Sequence, residues 1–141
     1  MYSSKLSVSV HILCVIDLYK NEQITSETIA ESIQTNPAIV RRLLSNLKKA
    51  GLIRIQTKLG VKGLTRPISD ITLKEIFQAV EPQTKLVNIH TDTNIKCQVG
   101  ANIQTALDDV YSDLQEQFMQ HLHCIKLSDV MQKMSLINEF D

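Results

Sequence analysis

The chain has 141 residues, of which 43% are hydrophobic, 21% charged and 4% aromatic, and its formal net charge is zero. That length suits one domain, or a small domain with an extension, and it is enough to bury a real core. No run is apolar enough to span a bilayer and the N-terminus lacks a signal-peptide pattern; three cysteines without a framework spacing suit a reducing cytoplasm better than a disulfide scaffold.

The zero net charge conceals an asymmetry. Residues 1–67 hold ten Lys/Arg against four Asp/Glu, whereas residues 68–141 hold five against eleven. Between Pro37 and Pro67 there are eight basic residues and no acidic one. A local basic field of this kind favours a polyanionic partner, while the acidic half keeps the molecule soluble.

In chain order, residues 5–20 come first. Leu6, Val8, Val10 and Ile12 alternate with polar residues in the manner of a strand, but Leu13 to Tyr19 run on without a turn signal. A continuous stretch of that length predicts a helix buried around most of its circumference. His11 reads as a core or boundary histidine. Thr25 caps a short helix with Glu27 in its first turn, Ile24 and Ile29 stand at staple positions, and Ile29, Ala30 and Ile33 form a narrow apolar face.

Gln34-Thr35-Asn36 leads directly into a second helix over 37–50. Asn36 is a favourable N-cap, Pro37 occupies the first helical position and Gly51 closes the helix. Ile39, Val40, Leu43, Leu44 and Leu47 form its apolar stripe, and Arg41, Arg42, Ser45, Lys48 and Lys49 fill the rest of the circumference. Two helices joined this tightly, the second basic, make a helix-turn-helix. Ile53, Ile55 and Thr57 then alternate with Arg54, Gln56 and Lys58 as a half-buried strand, residues 59–63 turn, and 64–66 return before Pro67. A basic hairpin in this place is a wing.

Thr72 and Glu75 form a capping box, with Ile71 and Ile76 as a staple, for a helix that ends near Pro82. Residues 82–101 read as a mostly irregular linking loop. From Asn102 a long helix carries Ile103, Leu107, Val110, Leu114 and Phe118 in one narrow row, with Asp108, Asp109, Asp113 and Glu116 elsewhere. Such a row, following a complete small domain, suggests pairing with a second chain. Ser128 caps a last short helix, and 136–141 read as a disordered tail.

The order and spacing of these pieces resemble bacterial winged-helix regulators of the Rrf-two family, which includes the iron–sulfur cluster regulator, the nitric-oxide-sensitive repressor and the cysteine-metabolism repressor. The likeness covers nearly the whole chain. It rests on Thr-Asn-Pro-Ala-Ile-Val-Arg-Arg-Leu-Leu-Ser-Asn-Leu-Lys-Lys-Ala-Gly-Leu-Ile at 35–53, the Gly60/Gly63 wing, Asp-Ile-Thr-Leu-Lys-Glu-Ile at 70–76 and Cys-Gln-Val-Gly-Ala-Asn-Ile at 97–103. It implies a mainly α fold with a small β-hairpin wing: a winged helix-turn-helix domain at 1–81, a linking or sensor loop at 82–101, and a dimerisation helix with a short C-terminal helix at 102–135. It further implies a homodimer that binds double-stranded DNA. It does not imply a cofactor, because cluster-binding members gather three cysteines in the segment matching 90–105, and here that segment holds Cys97 alone.

The expected function is a dimeric DNA-binding transcription regulator, a repressor that reads a palindromic operator with the helix at 37–50 and the wing at 52–66. Thr35, Asn36, Ala38, Arg41, Arg42 and Ser45 are the candidates for base edges, since Arg can read guanine and Asn adenine. Lys48, Lys49, Lys58 and Lys62 are the candidates for phosphates. Cys97, a few residues before the long helix and next to Lys96, is a candidate thiol sensor for a small-molecule or thiol-reactive effector. His121 and Cys124 stand one helical turn apart but lack the further ligands a metal needs, and no nucleophile elbow or phosphate loop points to an enzyme. The competing reading is a protein-interaction module that uses the acidic long helix and no DNA.

Overall fold

The computed structural model describes residues 3–20, 22–56, 60–82 and 85–140, with side chains as far as residue 135. Helix α1 (Lys5–Leu18) lies at the centre. Ile12, Leu13, Cys14, Val15 and Ile16 are all buried in succession, so the helix is enclosed on nearly every side. It packs against α2 (Ser26–Ile33), α3 (Pro37–Lys49), α4 (Leu73–Val80), α6 (Leu127–Phe140) and one strand of the hairpin. The strand-like alternation at its start has no structural counterpart: Ser9, on the polar side of that alternation, is fully buried, and its hydroxyl has no hydrogen-bond partner among the described residues. His11 is not a core residue. Its ring is exposed and Nε2 lies 3.2 Å from the Ser32 hydroxyl on α2.

The two helices of the helix-turn-helix are capped as their residue types require. The Thr28 N–H donates to the Thr25 hydroxyl at 3.2 Å, and the Ala38 N–H donates to the Asn36 side chain at 2.8 Å. Gln34 takes a left-handed conformation, φ 60°, which turns the chain sharply between α2 and α3. At the far end, Gly51 closes α3 with φ +77° and the Leu52 N–H donates back to the Leu47 carbonyl. Val40, Leu43, Leu44 and Leu47 are buried, but Ile39 is not: it is 44% exposed, on the edge of the stripe at the first turn.

Strands β1 (Ile53–Gln56) and β2 (Gly60–Leu64) form the antiparallel hairpin. The return strand begins earlier than the expected 64–66, inside the segment read as a turn. Its register pairs Arg54 with Gly63 and Ile55 with Val61, so a bulge falls at Lys62. The hairpin is tied to the body where the Val61 N–H donates to the Ile24 carbonyl at 2.9 Å. A Cβ at Gly60, φ +84°, would collide with that same carbonyl, so the close approach requires glycine.

The Thr72/Glu75 capping box is present, and α4 buries Ile76, Phe77 and Val80. Helix α5 (Gln98–Cys124) starts before the expected Asn102 and is 27 residues long. From residue 85 onward the linking segment is irregular but tied down by hydrogen bonds. It lies along α5, where the Leu86 N–H donates to Gln115 Oε1, Gln104 donates to the Thr91 carbonyl, and the Thr93 hydroxyl donates to the Gly100 carbonyl. The far end of α5 returns to the body: Phe118 meets Phe77 edge to face at 5.6 Å and Leu122 is buried. The Leu73 N–H then donates to the Ile125 carbonyl and the Leu127 N–H to the Ile71 carbonyl, each at 2.9 Å. Helix α6 begins at Leu127, with Asp129 rather than Ser128 accepting from the Lys126 N–H, and its backbone stays helical to Phe140 where a tail was expected from 136.

Candidate nucleic-acid interface

The surface opposite the buried row of α3 is polar and basic. At about 100° per residue, Ala38, Arg42, Ser45 and Lys49 point away from Val40, Leu43, Leu44 and Leu47. Arg41 and Lys48 take one flank, Ile39 and Asn46 the other. Asn36, Ala38, Arg41, Arg42, Ser45, Lys48 and Lys49 are all exposed, and Thr35 is half-buried in the turn. The fold therefore places Ala38, Arg42, Ser45 and Lys49 on the outward face of α3, Arg41 and Lys48 on its flank, and Thr35 and Asn36 at its N-terminal end. Asn36 is committed in part, because its side-chain oxygen already holds the Ala38 N–H.

Arg41 pairs with Glu27 on α2 across 3.4 Å, both side chains remaining more than half exposed. The Glu27 carboxyl is held below the usual carboxylate range by its own backbone N–H and the Ser26 hydroxyl, with Arg41 a lesser cause. A pair this wet is readily exchanged for a phosphate or a base edge. Of the arginines of α3, Arg41 is the one with an ion-pair partner among the described residues.

Across the hairpin, Arg54, Gln56 and Lys62 are exposed and Ile53 and Val61 face inward. Arg54 was not singled out from the sequence, although the strand alternation already turns it outward. Lys58 lies outside the described residues. Arg66 belongs to the basic run but is used internally: it donates to the Asp70 carbonyl and pairs with Glu75, locking the end of the hairpin to the cap of α4. Burial alone would push the Glu75 carboxyl up, but the Arg66 guanidinium and the Thr72 N–H hold it below its ordinary value.

The long-helix row divides. Ile103, Leu107 and Phe118 are half-buried, whereas Val110 and Leu114 are 53% and 47% exposed. Alongside, an open groove of about 870 Å³ lies between the linking segment and α5; Lys85, Asn88, Gln104, Asp108 and Tyr111 are among its lining residues. Cys97 is the exposed N-cap residue of α5, and the Gly100 and Val99 N–H groups lower its thiol pKa. Cys14 is buried in the core, where desolvation and then Asp17 raise its pKa, and Cys124 is at the other end of α5, about 40 Å of helix from Cys97.

Residues 2–133 match the Rrf2 family, the Rrf-two family named above, described as "Iron-dependent Transcriptional regulator". The chain is 39% identical over 131 residues to "Putative HTH-type transcriptional regulator YwnA" of Bacillus subtilis (strain 168), covering 93% of this chain and 97% of YwnA. A crystal structure of a "putative DNA binding protein" is 36% identical, with TM-score 0.74, and covers 91% of this chain and 99% of its own. The fold is also that of CymR, the global cysteine regulator of B. subtilis, at TM-score 0.63 and 20% identity, with 92% and 94% of the two chains covered. The family description names iron, but the donors of one chain do not fit it: among the described residues no three His, Cys, Asp or Glu side chains group to hold a metal, and the three cysteines lie on separate parts of the fold. By sequence match and architecture alike, the chain belongs to the Rrf2 family of winged-helix transcription regulators and is not an enzyme.

Proposed function

We propose that two copies of this chain pair along α5 and set their α3 helices into successive major grooves of a palindromic operator, repressing transcription by occupying it. The observation that carries this reading is the exposed basic face of α3, in a stretch from Pro37 to Pro67 without an acidic residue. The Rrf2 membership and the DNA-binding description of the relative at 36% identity support it. In this reading Arg42, Ser45 and Ala38 face base edges, with Arg41 joining them once released from Glu27. Lys48, Lys49, Lys58, Lys62 and Arg54 meet phosphates on either side. Val110 and Leu114, left exposed on α5, meet their counterparts in the second copy, and a two-fold dimer would space its recognition helices about 34–36 Å apart, one turn of duplex.

The signal enters at the linking segment of this cytoplasmic regulator. Cys97 sits at the root of the pairing helix, where an adduct or oxidation alters charge and bulk beside backbone N–H groups. The adjoining groove is open to a small effector. Either event would turn α5 and change the spacing of the two α3 helices.

The test is a mobility-shift titration against genomic duplex fragments, with sedimentation of the free protein. A dimer that retains specific fragments, with affinity falling steeply as salt rises, is the expected result. A protein that retains no duplex at low salt would return the long acidic helix to the role of a protein-binding surface.

A further inference from the structure

The exposed face of α3 holds one side chain of the wrong polarity for a solvated or phosphate-binding surface. Ile39 is 44% exposed on the flank of α3 that it shares with Asn46, beside Arg42, and no other large apolar side chain of α3 is left open to solvent. It belongs to the first turn, the part of a recognition helix that lies nearest the base edges. On the helix surface its neighbours are Asn36 and Arg42, each three residues away. Isoleucine is branched at Cβ and stiff at χ1, so it presents a fixed methyl-bearing surface and loses little freedom on contact. The major groove offers one apolar feature, the C5-methyl of thymine.

We infer that Ile39 is a specificity residue that packs on a thymine methyl in each half-site, within one or two base pairs of the guanine read by Arg42. The inference rests on the proposed docking of α3 in the major groove and adds to it the identity of one base. It makes the flank of α3 that carries Ile39 a reader of methyl groups, while the flank that carries Arg41 and Lys48 reads polar edges and phosphates.

The test begins with a duplex selected by the parent protein from a random-sequence pool. Each thymine of that duplex is replaced in turn by deoxyuridine, symmetrically in both half-sites, which removes the methyl and leaves the base pairing intact. One position should weaken parent binding by about fourfold per half-site, the loss expected for one buried methyl-sized contact. Ile39→Ala should bind the thymine duplex more weakly and show no difference between thymine and uracil at that position. Ile39→Val should keep part of the difference. Because Ile39 contributes little to the core, thermal melts of both variants should overlay the parent. A uracil penalty that persists undiminished in Ile39→Ala assigns the methyl to another side chain, such as Ala38, and overturns the inference while the docking of α3 stands. Selection of no duplex by the parent overturns both.

Discussion

Helices α3 and α5 each carry one apolar row on an otherwise polar surface, yet they meet opposite fates. In α3, Val40, Leu43, Leu44 and Leu47 are all buried against the chain's own body; in α5, Leu122 is the only buried residue of 27. The polar sides differ as well, Arg41, Arg42, Lys48 and Lys49 on one and Asp108, Asp109, Asp113 and Glu116 on the other. Periodicity of apolar residues says that a helix has a face to hide. Whether its own chain hides that face depends on what the fold has already placed beside it. Helix α3 is surrounded by α1, α2, α4 and β1, whereas α5 touches the body mainly through α4.

The two apolar rows respond differently to a single substitution. Leu47→Ala leaves a cavity in the enclosed core and should cost about 2–5 kcal/mol, lowering the melting temperature by roughly 10 °C. An equilibrium urea titration would show it, and an unchanged midpoint would mean that Leu47 is not enclosed in solution. Leu114→Asp should leave the fold of each chain intact, because the site is already half open, while placing an unpartnered charge in the proposed seam. Sedimentation velocity should then show monomers where the parent sediments as a dimer. A native-like dimer would move the seam off this row.

The polar faces are distinguished next. Arg42→Ala should weaken the selected operator by about 1–3 kcal/mol and random duplex far less, whereas Lys48→Ala should weaken both alike and reduce the salt slope by about one unit. Equal losses on the two duplexes for Arg42→Ala would make that arginine another phosphate contact.

The smallest effect concerns the link between hairpin and α4. The folded-state pKa of Glu75 lies below its unfolded value, so its pairing with Arg66 stabilises the fold above the ordinary carboxylate range, near pH 4.3, and is lost as pH falls through the depressed value. Glu75→Gln should cost at most about 1 kcal/mol at pH 7, since both partners are about one-third exposed. The gap from the parent should narrow below pH 4. Parallel pH–stability curves for the two proteins would locate the acid sensitivity in other carboxylates.

Local signals carried the sequence far. The Thr25, Asn36 and Thr72 caps, Pro37 at the start of α3 and Gly51 at its end act through neighbours within four residues, so residue identity alone determined where these helices lie and which side of α3 is basic. Tertiary structure decided what local patterning leaves open. The unbroken apolar run after residue 12 already predicted a helix across the alternation at 6–12, and tertiary structure supplies the reason that alternation misleads: Ile12 to Ile16 are enclosed by five other elements, and enclosure erases the contrast between faces on which periodicity depends. β2 began at Gly60 because the Ile24 carbonyl, distant in sequence, accepts from Val61. Ile39 fell outside the core, and Arg41 and Arg66 found acidic partners on other helices. Each of these depends on groups far apart along the chain that only folding brings within reach.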